Sequence, residues 1–315
     1  MSKACFEILR SGINTTYQDI GRPQLYHIGI PFSGAMDKRN FLIANKLVGN
    51  NLKSAAIEFA LQGPLLKLKN FEAVFAITGN VKFDIIRKNS NIEKGICYKT
   101  YNLKPDEQLD IISTEKSVYG YLSIAGGFDI ELFWNSFSIN TKAKIGPNNG
   151  EKLLNNQKIF LKKKLCNHSE KKIDFTNSKI EFIRVIKGTN YDYFSKKSKD
   201  LFIKQEYKIS KLTDRMGMRL EGLKLENNVD TNIKSEGLIK GAIQVPADGK
   251  PIIMLSDHGT IGGYPKIAVV ISADYDKLVQ LPPNTKIKFK LVDLKEAENL
   301  YELYRLETEN ILNRI

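Results

Sequence analysis

Short runs dominated by β-branched and aromatic residues recur along the chain, each bounded by turn residues. The clearest lie at residues 73–78, 109–112, 119–125, 180–186 and 287–292. Runs of this length and makeup predict strands. Their spacing predicts barrels or sandwiches, because the regular alternation of strand and helix that builds parallel sheets is missing. The expected fold class is mainly β with minor α, in two β-barrel-type domains.

Two segments carry a helical period instead. Around residues 38–48, Phe41, Leu42, Asn45 and Val48 share one face, Asp37 stands before it as an N-cap, and Gly49 closes it. A cap carboxylate accepts a first-turn N–H that has no partner inside the helix. From residue 295 to 315, Leu300, Leu303, Tyr304, Leu306 and Ile311 recur at helical spacing, and Asp293 with Glu296 resembles a capping box. Such a terminal helix is expected to dock on its own chain, since burying the stripe is what stabilises it. The polar, Lys/Asn-rich stretch at 140–179 is the expected junction. The domains expected are 1–165 and 166–295, followed by a helix at 296–315.

Composition excludes several classes. The 315 residues are 42% hydrophobic and 26% charged, ordinary globular values that rule out collagen-like, coiled-coil and wholly disordered chains. No run approaches the roughly 18 apolar residues of a membrane span. The N-terminus lacks the apolar core of a secretory signal, and Cys5, Cys97 and Cys166 are odd in number and far apart. Both features suit a reducing, cytoplasmic location. Lys+Arg exceed Asp+Glu by 48 to 35, a formal +13. The excess is mostly lysine, much of it between residues 158 and 199, with few aromatics interleaved and no nucleic-acid-binding motif. It reads as solvated surface, with neither nucleic acid nor membrane as partner.

Missing motifs narrow the chemistry. The sequence has no G-x-x-x-x-G-K-[ST] phosphate loop and no G-x-S-x-G elbow. Ser113-Thr114-Glu115-Lys116 matches S-x-x-K but stands alone in a strand-rich stretch, so chance is the better reading. His27, His168 and His258 lack metal-ligand spacing, and no metal site is expected. No Ala-Met-Lys-Met is present, so no covalently attached biotin is expected.

What remains is a set of polar residues in Gly/Pro frames: residues 15–23, 29–37, 214–222, 235–251 and 257–266. Rigid turns aim side chains and amides. Arginine offers a planar fork for carboxylate or phosphate, and carboxylates serve as bases. Each residue also has a structural reading. Asp19–Arg22 and Asp214–Arg215 could be buried ion pairs. Asp37 reads as a helix cap before it reads as a ligand. His258 suits a core position as well as a proton shuttle. Glu58, inside Ala55-Ala56-Ile57-Glu58-Phe59, requires a partner or a raised pKa.

In chain order, Gln18-Asp19-Ile20-Gly21-Arg22, Ser33-Gly34-Ala35-Met36-Asp37, Ala44-Asn45-Lys46-Leu47-Val48-Gly49-Asn50, Glu58, Ala125-Gly126-Gly127, Asp214-Arg215-Met216-Gly217, Ser235-Glu236-Gly237, Gly241-Ala242-Ile243-Gln244-Val245-Pro246 and Gly262-Gly263-Tyr264-Pro265 carry a resemblance. The chain resembles the biotin-dependent carboxyltransferase family, also called allophanate hydrolase subunit 2. The resemblance implies β-barrel domains, the C-terminal one cyclophilin-like. It implies the C component of an ATP-dependent 5-oxoprolinase. With the A and B subunits, such a chain opens a small cyclic amide, 5-oxoproline, to glutamate, and ATP is shared with those partners. Two alternatives within the family are carboxyl transfer from carboxybiotin to urea or a related amide, and non-enzymatic antagonism of a kinase inhibitor.

Opening a lactam needs activation, hence an anion clamp and carboxylates. On that basis Arg22, Arg215 and Lys266 are expected to neutralise anionic groups. Asp19 and Asp257 are expected to join Lys266 as catalytic groups, and Gln244 and Thr260 to orient the amide. Asp37, Asn45, Glu58 and Tyr264 complete the expected substrate-binding set. Where many relatives carry Gly-Ser-Arg-Ser-Thr, this chain has Asn135-Ser136-Phe137-Ser138-Ile139, so an aromatic replaces a cation at Phe137. Phe32 likewise stands where relatives often have arginine.

Overall fold

Strand formation follows the alternation of apolar and polar positions. The structure, a computed structural model, describes residues 3–162, 170–176, 180–228 and 232–315. The expected boundary at 165/166, Cys166 and His168 lie outside the described residues. The chain divides into two units. One comprises Met1–Arg22, Ser33–Thr176 and Thr308–Ile315; the other comprises Pro23–Phe32 and Asn177–Glu307.

The first unit contains β1 (Cys5–Arg10), β2 (Asn14–Gln18), α1 (Lys38–Leu47), β3 (Ala56–Ala60), β4 (Leu65–Lys69), β5 (Ala73–Thr78), β6 (Val81–Ile86), β7 (Ile92–Lys94), β8 (Thr100–Leu103), β9 (Gln108–Thr114), β10 (Tyr119–Ile124) and β11 (Lys158–Phe160). They form a six-stranded sheet, β11-β1-β4-β9-β6-β7, and a five-stranded sheet, β2-β3-β10-β5-β8. In β4, Leu66 and Leu68 point inward and Lys67 and Lys69 outward, and β6 alternates the same way through Val81, Phe83 and Ile85. These residues meet Ile57, Phe59, Phe75, Ile77 and Leu122 of the other sheet in one hydrophobic core. Every residue of β10 is buried, because α1 covers the outer face of its sheet. Asp37 caps α1, accepting from the Asn40 amide at 3.0 Å, and Gly49 closes it at φ 67° with a bond to the Lys46 carbonyl. The expected junction does not begin at residue 140. Asn140 bridges Ile145, and β11 pairs with β1, within the first unit.

The second unit contains β12 (Ile183–Lys187), α2 (Lys196–Lys204), β13 (Tyr207–Ile209), β14 (Gly217–Glu221), β15 (Glu236–Gly237), β16 (Ala242–Gln244), β17 (Ile252–Met254), β18 (Ile261–Gly262), β19 (Lys266–Val270), α3 (Ser272–Val279), β20 (Lys286–Ile287) and β21 (Phe289–Leu291), with most of α4 (Leu294–Asn313). Its eight-stranded sheet runs β20-β13-β14-β17-β16-β19-β12-β21. The first and last strands of that order are consecutive in the chain, separated by Lys288 alone. Ile287 pairs with Tyr207 on one side, and Phe289 pairs with Ile183 on the other. The sheet therefore closes into a barrel. Phe289 stacks on Phe202 at 4.7 Å and packs against Tyr207 inside it. β15 and β18 form a separate two-stranded flap. The fold is mainly β, as expected.

Two helices escaped the sequence reading. In α2 only Ser198 and Phe202 are buried, so its lysines read as a charge run; Ser195 caps it. In α3 six of eight residues are buried, which erases the amphipathic signal. The α4 stripe also differs from expectation. Ala297, Leu300 and Tyr304 pack in the second unit. Ile311, Leu312 and Ile315 pack against Ile43 and Leu47 in the first. Leu303 and Leu306 lie off that stripe and are 56% and 44% exposed.

Candidate functional site

In the first unit the expected site residues are all buried. Asp19 accepts from the Gly21 amide (2.8 Å), the Phe137 amide (2.7 Å) and the hydroxyls of Ser136 (2.7 Å) and Ser138 (2.5 Å). Arg22 donates to the carbonyls of Ser138 and Phe133. Asp19 and Arg22 thus fasten the same 133–138 loop, the carboxylate through its donors and the guanidinium through its acceptors. The Ser33–Asp37 turn packs on the Asp19–Arg22 segment: Ala35 N–H bonds the Asp19 carbonyl at 2.9 Å. Gly34 sits at φ 87°, where a Cβ would lie 2.9 Å from the Gly21 nitrogen, so only glycine fits.

Glu58 shares one sheet face with Thr16, Tyr121 and Thr78 by strand register. It accepts from the Met36 amide (2.8 Å) and the Tyr121 hydroxyl (2.7 Å), and that hydroxyl accepts from the Asp37 amide (2.7 Å). The partner that its apolar surroundings demanded is therefore a backbone amide of the Ser33–Asp37 turn, assisted by a tyrosine. Burial, and then the Glu58 charge, push the Tyr121 phenol far above its usual range. Asn45 donates to the Ser54 carbonyl (2.9 Å) and accepts from Ser123 (3.2 Å). Asn50 accepts from the Gly126 amide at 2.9 Å, which ties the end of α1 to the Ala125-Gly126-Gly127 turn. Asp37, Asn45 and Glu58 thus hold α1 on its sheet.

The second unit brings together another group. The Lys266 ammonium lies 2.8 Å from Glu236; the lysine side chain is 5% exposed and the glutamate 42%. Asn190 accepts from the Lys266 amide (3.0 Å) and donates to Glu236 (3.5 Å). The Gln244 amide donates to the Tyr264 carbonyl at 3.3 Å, and Lys266 donates to the same oxygen at 3.4 Å. Gly262 faces Gln244 so closely that a Cβ would lie 2.6 Å from Nε2. The Lys266 hydrogen bond and charge hold the Glu236 carboxyl below its usual range. Tyr264 is exposed, and Thr260 uses its carbonyl to anchor Leu238 of the flap at 2.9 Å.

Two further contacts flank this group. Arg215 binds Asp257 through two contacts, 2.8 and 3.1 Å, with both side chains buried. Asp257 is therefore a buried partner of Arg215, whereas its neighbour Asp214 is exposed. Asp214 closes a turn onto the Met216 amide, as Asp19 does onto Gly21. His258 is buried; Nδ1 donates to the Gly259 carbonyl (2.6 Å), and the Tyr26 hydroxyl lies 3.2 Å from the ring. Burial lowers the His258 pKa and raises that of Tyr26 to about 12. Tyr26 donates to the Leu238 carbonyl at 2.6 Å.

Sequence reasoning missed Glu236, Asn190, Tyr26 and the Ser136/Ser138 pair. Glu236 and the serines stood inside motifs already singled out; Asn190 and Tyr26 gave no signal. Among the described residues, no group of three or more His, Cys, Asp or Glu is placed to hold a metal ion. No described helix is long and apolar enough to cross a membrane. A groove of about 640 Å³ in the first unit is lined by Arg87, Lys99, Glu93, Glu107 and others. Within it Arg87 pairs with Glu93 and Glu107, and Lys99 with Glu170, while Lys88 and Lys104 also line it.

The chain belongs to the carboxyltransferase domain family, subdomain A and B, which matches residues 28–291. It is 32% identical over 297 residues to the C subunit of 5-oxoprolinase from Escherichia coli (strain K12), covering 92% of each chain. It is 33% identical over 294 residues to the C subunit of 5-oxoprolinase from Haemophilus influenzae, covering 93% of each. The crystal structure of K. lactis urea amidolyase superposes with a TM-score of 0.87 and 28% identity over 99% of this chain, which corresponds to 20% of that one.

Proposed function

We propose that this chain is the C subunit of an ATP-dependent 5-oxoprolinase and works with partner A and B subunits. The observation that carries the reading is the end-to-end match to two chains named as 5-oxoprolinase C subunits, each covered to more than nine-tenths. The reaction converts 5-oxoproline, ATP and two waters to glutamate, ADP and phosphate. ATP supplies activation of the lactam carbonyl. Its phosphates are assigned to the assembled complex, because this sequence has no phosphate-binding loop of the G-x-x-x-x-G-K-[ST] type.

The chain's own contribution is anion neutralisation and orientation. Lys266 is a cation in a buried setting, where its interaction with an anion is stronger than in water. Gln244, buried beside it with an N–H on the Tyr264 carbonyl, carries an amide whose donor and acceptor match those of a lactam. Arg215 and Asp257 satisfy each other and support the strands that carry this group.

Co-expression with the A and B subunits, followed by glutamate release from 5-oxoproline, tests the reading. The expected result is release that requires ATP and all three chains. An intact complex that releases no more glutamate with ATP than without it would overturn the proposal. The K. lactis superposition favours one second reading, carboxyl transfer to an amide. That reading predicts consumption of added carboxybiotin by the purified chain.

A further inference from the structure

The ion pair Lys266–Glu236 is asymmetric. Lys266 is 5% exposed and rooted in a barrel strand, whereas Glu236 is 42% exposed. A buried ammonium is stabilised by a counter-ion beside it, so the Lys266 site favours an anion. Nothing requires that anion to be Glu236. A carboxylate already in part solvated loses little on swinging into water. Its other contact, to Asn190, is long at 3.5 Å.

The element that carries Glu236 is also weak. β15 and β18 are two residues each and pair only with one another, outside the eight-stranded sheet. A two-stranded ribbon of that size is marginal by itself. Gly237 and Ile261, which pair across it, are both exposed. Besides the ion pair, the Tyr26 hydroxyl holds the Leu238 carbonyl, the Thr260 and Gly263 carbonyls hold the Leu238 and Ile233 amides, and the buried Leu238 side chain packs with Ala242 and Met254. The contrast with Arg215–Asp257 is instructive, since there both partners are buried and the contact is doubled.

We infer that Glu236 is an internal anion occupying the seat of the substrate's carboxylate on Lys266, and that the substrate displaces it as β15 parts from β18. The substrate class is a small molecule bearing a carboxylate and an amide, the first on Lys266 and the second against Gln244. This rests on the reading of the chain as acting on 5-oxoproline. Glu236 is a positioning and specificity residue. It covers Lys266 in the absence of substrate, and lets only anionic ligands take its place.

Glu236→Gln keeps the shape and removes the charge. Two measurements separate the parts of the inference. Hydrogen exchange on the full chain reads the latch: protection at Leu238 and Ile233, whose amides bond Thr260 and Gly263, is expected to fall about tenfold in the variant. Kinetics of the complex with the A and B subunits read the anion seat. KM for 5-oxoproline is expected to fall about tenfold, because the closed fraction no longer reduces apparent affinity, while kcat changes less than about threefold. Inhibition by the uncharged 5-oxoprolinamide should not improve, and Lys266→Met should raise KM at least about tenfold in either background. Unchanged exchange overturns the latch. Lost protection with an unchanged or raised KM, or an equal gain for the uncharged amide, overturns the anion seat. Lost protection in a chain whose wild-type complex never turns over 5-oxoproline leaves the latch standing and removes the functional reading instead.

Discussion

Arg215 and Asp257 hold each other by two contacts with almost no exposure, so removing the guanidinium leaves the Asp257 charge in the interior. Arg215→Met should therefore destabilise by about 3–5 kcal/mol, and Arg215→Met/Asp257→Leu together by far less. Urea denaturation of both variants checks this. If the double variant folds with near-normal stability yet its complex is inactive, Asp257 does more than neutralise Arg215. His258 carries a pH signature. Burial holds its pKa below the usual 6.5, so the unfolded chain binds the proton more readily than the folded one. Stability is then fully present above about 6.5 and is lost as pH falls through the lowered folded value. His258→Asn should flatten that slope in melting temperatures taken between about pH 5 and 7.5. At this scale the sequence revealed many of the buried polar residues but not how they pair, and Asp214, offered as half of a buried pair, is exposed. Asp214 and Asp257 are equally plausible partners for Arg215 on paper. The β14–β17 pairing, which brings residue 255 to residue 216, is what places Asp257 against Arg215. Likewise Glu58's need for a partner was legible, whereas the Met36 amide was not, because backbone donors leave no mark in a sequence.

Elements were legible where caps or strand-type makeup mark them. α1 and its two ends follow from period and caps, and the strands at 73–78 and 119–124 from their β-branched and aromatic residues, although nearly all of those residues are buried. α3 was invisible because it is buried nearly all round, and α2 because nine residues with two buried ones look like solvated charge. α4 was legible as a helix but not in its facing. Leu303 and Leu306 match the hydrophobic period as well as Leu312 does, and only packing separates them. Leu312→Ala should cost about 2 kcal/mol, since the residue is 9% exposed within the cluster around Ile43 and Leu47. Leu303→Ala should change stability by less than about 0.5 kcal/mol. Thermal and urea unfolding of the two single variants, side by side, distinguish the observed stripe from the one that the sequence suggested.

The whole molecule is where sequence order misleads most. A linear reading sees two halves with a polar junction. The structure gives residues 23–32 to the second unit and residues 308–315 to the first. No composition shift marks either exchange, because both segments have ordinary loop or helix makeup. The mainly β class was nonetheless legible, since strand makeup and short spacing do not depend on how units are assembled. The barrel's closure was not, because it depends on one run, 286–291, pairing on both of its edges.

That closing strand has a consequence for the order in which the protein is made. Synthesis runs from the N-terminus, and β12 and β13 emerge well before their shared neighbour. Until residues 286–291 leave the ribosome, the nascent ring has two open edges, the condition under which strands pair with the wrong chain. The first unit waits longer still, because Ile311, Leu312 and Ile315 complete its helix-side cluster. Neither unit of this chain can reach its final form until residues 286–291 and 311–315 have been made. Truncated translation products would therefore be a natural load on chaperones rather than a source of half-active fragments.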